Sequence, residues 1–143
     1  MARTPKRADL ATLFAALADR TRLRLLNLMN GREVCVCYFV EILGQSQPKI
    51  SRHLAYLRRA EIVRARRDGK WMHYRIERPG DAGAGAILDA TLASFGADGE
   101  MRSDLERLGR ACCAPEQFVA LVGAPVPRGR DQRTGTRDQK NGD

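Results

Sequence analysis

Four cysteines fall in two close pairs, with Cys35 and Cys37 separated by one residue and Cys112 and Cys113 adjacent. Thiolates are soft ligands that suit As(III), Sb(III), Cd(II), Zn(II) and Cu(I). A helix N-terminus lowers the pKa of a thiol, and Cys35 and Cys37 stand where a helix is predicted to begin. These pairs therefore predict a binding site for a thiophilic ion.

The spacing of the first pair sets a geometric condition on that site. Residues i and i+2 lie about 200° apart on a helix but on one face of an extended segment. Cys35 and Cys37 can therefore hold one ion only if the start of the helix is extended or distorted. We expect ion binding there to strain this helix.

The compartment bears on the state of the thiols. No apolar run approaches the ~20 residues of a membrane span, and residues 1–7 lack the apolar stretch of a secretory signal. A cytoplasmic location is expected. Thiols, metal ligands or redox switches are then favoured over structural disulfides.

Positive charge is concentrated in one part of the chain. The net charge is +8, and residues 49–75 alone hold nine Lys and Arg against two acidic residues. A solvated charged face mixes signs more evenly, so this segment favours a polyanionic partner.

The spacing of apolar residues predicts the elements that position these groups. Six helices are expected, at about 8–18, 20–30, 37–43, 46–60, 86–95 and 100–111. The third and fourth are joined only by Gly44, Gln45 and Ser46, which is typical of a helix-turn-helix. Residues 79–85 are predicted to be a linker.

A β-hairpin is predicted after the fourth helix. With Asp68-Gly69 as a two-residue turn, Arg67 would pair with Lys70 and Arg66 with Trp71. Alternation then gives an apolar face and a cationic outer face that includes Arg64, Arg66, Trp71, His73 and Arg75. The predicted fold class is mainly α with a β-hairpin wing.

The fourth helix and the hairpin carry the side chains expected to contact DNA. The helix would present polar and basic groups to a major groove, while the hairpin would reach a minor groove or its phosphates. The predicted DNA-binding residues are Gln47, Lys49, Ser51, Arg52, His53, Arg66, Arg67 and Lys70.

These motifs together resemble the ArsR/SmtB family of winged-helix repressors, and most closely its arsenic-responsive branch. The resemblance covers roughly residues 10–95. It is carried by Asp19-Arg20-Thr21-Arg22-Leu23-Arg24-Leu25-Leu26, Cys35-Val36-Cys37, Gln45-Ser46-Gln47-Pro48-Lys49-Ile50-Ser51-Arg52-His53-Leu54 and Arg66-Arg67-Asp68-Gly69-Lys70-Trp71-Met72-His73-Tyr74-Arg75. It implies a homodimer that occupies double-stranded operator DNA and releases it when an inducer binds.

The resemblance implies As(III) as inducer, with Sb(III) as a further possibility and no organic cofactor. Repressors of this branch often carry a third cysteine at the position of Val40, which this chain lacks. A three-thiolate site would then recruit Cys112 or Cys113, from the same chain or the partner subunit. Alternatively, the vicinal pair is the main site, joined by Cys35 or Cys37.

Other functions stay open at this point. Cadmium, lead or zinc could use the same thiols, although zinc often takes His, and His53 and His73 both lie in the DNA-binding half. Asp89 has no His beside it on the fifth helix, so the family's zinc or nickel site there is not expected. A redox-sensing repressor and an architectural DNA-binding protein without inducer are further alternatives. No phosphate loop, nucleophile elbow or carboxylate pair indicates an enzyme.

The predicted organisation has four parts: a disordered basic arm at 1–7, a winged-helix DNA-binding and dimerisation domain at 8–96, a C-terminal helix with the Cys-Cys segment at 97–124, and a disordered tail at 125–143. The apolar faces of helices one and five exceed what one small core can cover, which favours the homodimer.

Overall fold

The computed structural model describes residues 9–113 and 125–129. The predictions for 1–7, 114–124 and 130–143 lie outside the described residues. The elements in chain order are α1 (Leu10–Leu17), α2 (Arg20–Met29), β1 (Arg32–Cys35), α3 (Val36–Leu43), α4 (Gln47–Arg59), β2 (Val63–Asp68), β3 (Trp71–Ile76), α5 (Ala82–Ala93), a 3-10 turn (Ser94–Ala97), α6 (Gly99–Cys113) and β4 (Arg128–Gly129).

The strands form an antiparallel sheet in the order β2-β3-β1-β4. The hairpin of β2 and β3 is the predicted wing, and the mainly helical fold class is confirmed. Neither β1 nor β4 was predicted. β4 lies in the segment 125–143 expected to be disordered, where Arg128 and Gly129 pair with Glu33 and Arg32. Both are short strands that exist only because a neighbouring edge is available to them.

The register of the wing differs from the predicted one by two residues. Arg66 pairs with His73 and Asp68 with Trp71, so the two-residue loop is Gly69-Lys70 rather than Asp68-Gly69. Gly69 takes a φ of 64°, which suits glycine at the first position of a tight hairpin turn. Since side chains alternate with a period of two, this shift leaves the predicted faces unchanged.

The outer face of the wing is nevertheless less open than predicted. β1 pairs with the second edge of β3 and sets Cys35 opposite His73. The His73 side chain is buried as a result. A hairpin read in isolation has two free edges, whereas here one edge of β3 is covered.

The fifth helix begins earlier than predicted and takes in most of the expected linker 79–85. The Asp81 carboxylate accepts a hydrogen bond from the backbone N–H of Ala84 at 2.9 Å and caps α5. Gly85 lies inside the helix because the Arg78 guanidinium packs against it, and a Cβ there would meet that group at 2.7 Å. Glycines that indicate a linker in the sequence therefore serve a close helix contact.

Helix α6 belongs to the same core as the helix-turn-helix. Met101, Leu108 and Ala111 are buried, and the Arg24 guanidinium on α2 binds the buried Asp104 carboxylate at 2.8 and 3.0 Å. Within residues 9–113, the predicted boundary between 96 and 97 thus separates no independent core. Among the helices that the structure describes, none has the length and apolar character needed to cross a membrane.

Candidate DNA interface and thiol site

Helix α4 is held in place by a short turn. Gly44 ends α3 with a left-handed φ of 67°, and the Ser46 hydroxyl accepts from the Lys49 backbone N–H at 3.4 Å. The Gln45 side-chain amide donates to the Thr21 hydroxyl on α2 at 3.1 Å. The turn between α3 and α4 is therefore tied to α2 as well as to its own helices.

The two sides of α4 differ as predicted. Ile50, Leu54 and Leu57 are buried in the core. The side chains toward the N-terminal end of the opposite face are exposed, namely Gln47, Lys49, Ser51 and Arg52. This leaves a polar and basic surface open to a DNA groove.

On the wing, Arg67 and Lys70 are exposed near the tip, but Arg66 has a protein partner. Its guanidinium donates to the Glu33 carboxylate on β1 at 2.8 and 3.1 Å, and Glu33 is 4% exposed. Sequence reasoning missed Glu33 because the contact spans two strands whose pairing was not predicted. An acidic residue inside an otherwise apolar segment, Arg32–Cys35, was the available signal.

His53 is half-buried and lies against the start of α2. Its Nδ1 atom is 3.2 Å from the Arg22 guanidinium and 3.6 Å from the Asp19 carboxylate, and burial lowers the pKa of His53. Arg22 also donates to the Ala15 and Ala16 carbonyls that end α1, both at 2.8 Å. It thus joins α1, α2 and α4, a positioning role that the sequence analysis did not identify.

Cys35 and Cys37 have the arrangement that chelation requires. Cys35 ends β1 in an extended conformation, φ −72° and ψ 144°, and Cys37 lies in the first turn of α3. Their Sγ atoms are 3.2 Å apart. Two sulfurs each about 2.3 Å from one ion would lie roughly 3.3–3.8 Å from each other. Because Cys35 stands outside the helix, the pair needs no distortion of α3, contrary to the expected strain.

The two thiols of this pair differ in acidity. The hydrogen bond from the Cys37 thiol lowers the pKa of Cys35 to about 7, with smaller contributions from the backbone N–H groups of Cys37 and Val36. Neither N–H makes a cap hydrogen bond of ordinary geometry to the Cys35 sulfur. Donation to Cys35 and burial raise the pKa of Cys37. The pair is therefore a thiolate at Cys35 with a thiol donor at Cys37.

A third thiol approaches this region from α6. Cys112 lies in the last turn of α6, which packs against α3, and its charge acts on Arg32 and Tyr38. The Cys113 side chain lies outside the described part. Within residues 9–113 and 125–129, no three His, Cys, Asp or Glu side chains are close enough to hold a metal ion together. Cys35 and Cys37 thus form a two-ligand arrangement.

Tyr38 follows the Cys35–Cys37 pair and is completely buried. Its hydroxyl has no hydrogen-bond partner in the part of the chain that the structure describes. Burial raises the pKa of Tyr38 to about 12, with further contributions from the charges of Cys112, Cys37 and Cys35, in that order. Since an unsatisfied buried hydroxyl costs roughly 1–3 kcal/mol, its presence beside three sulfurs calls for an explanation.

Comparison with known proteins finds close relatives. The chain is 49% identical over 78 residues to the arsenical resistance operon repressor of Escherichia coli, covering 54% of this chain and 67% of that protein. It is 51% identical over 65 residues to the arsenic resistance transcriptional regulator ArsR1 of Pseudomonas putida, covering 45% of this chain and about half, 51%, of that protein. A crystal structure of the antimony-specific transcriptional repressor AntR is 32% identical, with a TM-score of 0.48, over 62% of this chain and 78% of that one.

A family model described as bacterial regulatory protein, arsR family, matches residues 19–65, the stretch from the start of α2 into the wing. That stretch contains α4 and the Cys35–Cys37 pair. The chain therefore belongs to the arsR family of bacterial regulatory proteins and is a regulator of transcription rather than an enzyme, as the sequence predicted.

Proposed function

We propose that this protein is a cytoplasmic repressor that binds operator DNA as a homodimer and releases it when As(III) binds cysteine thiolates. The observation that carries this proposal is the 3.2 Å approach of the Cys35 and Cys37 sulfurs at the start of α3, the first helix of the helix-turn-helix. The relatives named for arsenical resistance support the same inducer.

The binding chemistry requires no redox partner. Arsenous acid, As(OH)3, condenses with three thiols: three As–O bonds and three S–H bonds break, three As–S bonds form, and three waters leave. Arsenic stays at +3 throughout. Cys35 and Cys37 supply the first two sulfurs, and Cys112 or Cys113 supplies the third. Antimonite reacts in the same way and is the second candidate inducer.

The step that weakens DNA binding is the recruitment of the third sulfur. The Cys35–Cys37 pair is already at chelating distance, so its capture of the ion leaves α3 in place. Bringing in a sulfur from α6 changes the packing of α3 on α6, and α3 positions α4 through Gly44. This shift moves the DNA-contacting face of α4 relative to the wing.

The homodimer would cover apolar surface that the single chain leaves open. Leu10 and Phe14 on α1 are 47% and 52% exposed, and Leu105 on α6 is 37% exposed. A two-fold interface over these residues would bury them and place two copies of α4 on successive half-sites.

The test is an operator-binding titration with arsenite, antimonite, cadmium and zinc on the parent and on Cys→Ser variants at 35, 37, 112 and 113. We expect arsenite to release DNA from the parent, and Cys35→Ser and Cys37→Ser to abolish this response while apo binding persists. A response that survives all four substitutions would overturn the thiol site.

A redox-sensing repressor is the second candidate, because two sulfurs 3.2 Å apart are also placed for oxidation to a disulfide. Peroxide is the discriminating reagent. Release of the operator by peroxide and not by arsenite would favour this alternative.

A further inference from the structure

The Tyr38 hydroxyl is a buried polar group that the proposed DNA and thiol sites do not yet use. A phenylalanine would fill nearly the same volume without leaving a buried donor unsatisfied. The side chain is completely buried, follows Cys37 directly and belongs to α3, which packs on the helix that carries Cys112. A donor in this position is suited to a group that becomes negatively charged in another state of the protein.

The three nearby sulfurs do not need a donor equally. Cys35 already accepts a hydrogen bond from Cys37 at 3.2 Å, so the first pair supplies its own donor. Cys112 is the thiol whose charge acts most strongly on Tyr38. A metal-bound thiolate is an acceptor, and hydrogen bonds to ligand atoms orient them and strengthen binding.

We propose that the Tyr38 hydroxyl is a component of the inducer site and donates a hydrogen bond to the Cys112 sulfur when that sulfur becomes the third thiolate on As(III). This inference rests on the proposed function. It selects Cys112 rather than Cys113 as the third ligand and places all three ligands in one chain. Tyr38 acts through Cys112 and is a positioning residue, and the phenol stays protonated throughout.

The test is a double-mutant cycle of Tyr38→Phe and Cys112→Ala. Arsenite affinity is measured on DNA-free protein from the ultraviolet absorption of As–S bonds, and operator release is measured separately. We expect Tyr38→Phe to weaken arsenite binding about five-fold, the value of one hydrogen bond, with operator affinity in the absence of arsenite unchanged. In the Cys112→Ala background the same substitution is expected to change nothing.

The matched control is Tyr74→Phe, which removes another buried phenol oxygen and is expected to leave arsenite affinity unchanged. The proposal is overturned if Tyr38→Phe binds arsenite like the parent, or if the two substitutions multiply in the double variant. If arsenite binds the parent without releasing DNA, the proposed function fails, while the direct binding measurement still decides the role of Tyr38. Failure of the parent to bind arsenite overturns both.

Discussion

The Arg66 guanidinium on the wing lies 2.8 Å from the Glu33 carboxylate on β1, and Glu33 stands two residues before Cys35. The same two regions are joined across the sheet, since Arg66 pairs with His73 and His73 pairs with Cys35. The strand that ends at the thiol pair is thus connected to the DNA-contacting hairpin by an ion pair and by neighbouring strands. A displacement at Cys35 has a short route to the wing.

Arg66 and Arg67 are adjacent but are expected to behave differently. Arg66→Ala removes the guanidinium beside the buried Glu33 carboxylate, and we expect the free energy of unfolding in urea to fall by about 1–3 kcal/mol. Arg67→Ala, at an exposed position, is expected to leave it within about 0.5 kcal/mol and to weaken operator binding only. Equal stability of the two variants would show that the Glu33–Arg66 pair does not hold the wing.

Arg52 is the side chain for which we expect the clearest loss of operator recognition. Arg52→Ala should weaken operator binding by about 1–3 kcal/mol if the exposed guanidinium contacts a base. The measurement is a fluorescence anisotropy titration with operator and scrambled duplexes at several salt concentrations. Arg102→Ala on α6 is the matched control and should bind like the parent. A loss that is the same for both duplexes would assign Arg52 to phosphate contact instead.

The acidity of Cys35 gives a pH prediction. Its pKa is lowered to about 7, so its thiolate fraction grows as the pH rises through 7 and is small at pH 5.5, roughly 1.5 units below that value. We expect the ultraviolet thiolate absorbance of a Cys112→Ala/Cys113→Ala variant to rise with a midpoint near 7. Adding Cys37→Ala removes the donor and should move the midpoint up toward the ordinary thiol value of about 8.5. An unchanged midpoint would mean that Cys37 does not stabilise the thiolate.

Two ion pairs link α2 to α6 and differ in burial. Asp104→Asn should lower the free energy of unfolding by about 1–3 kcal/mol, because the carboxylate is buried and binds Arg24 at 2.8 Å. Arg20 makes a similar contact with Asp98 but its side chain is 50% exposed, so Arg20→Ala should cost less than about 1 kcal/mol. Chemical denaturation of both variants tests the ranking, which the reverse order would contradict.

Local patterns predicted most of the helices and the exposed face of α4. Ser46, Pro48 and the spacing of Ile50, Leu54 and Leu57 specify α4 within a dozen residues, and the structure places it at Gln47–Arg59. The wing was found but its register was shifted, because two neighbouring positions for a glycine turn differ little in local energy. The glycines of α5 misled the prediction, since the reason for Gly85 is the distant Arg78 side chain.

The amino-acid order alone determined that this chain has a basic helix-turn-helix with a wing and two pairs of cysteines, because helix periodicity, turn residues and charge are local properties. Only the tertiary structure decided that Cys35 is extended and lies 3.2 Å from Cys37, that Arg66 binds Glu33, and that α6 brings Cys112 toward Tyr38. Those relationships join segments far apart in the chain. They depend on strand pairing and helix packing, whose energies arise only when the whole core assembles.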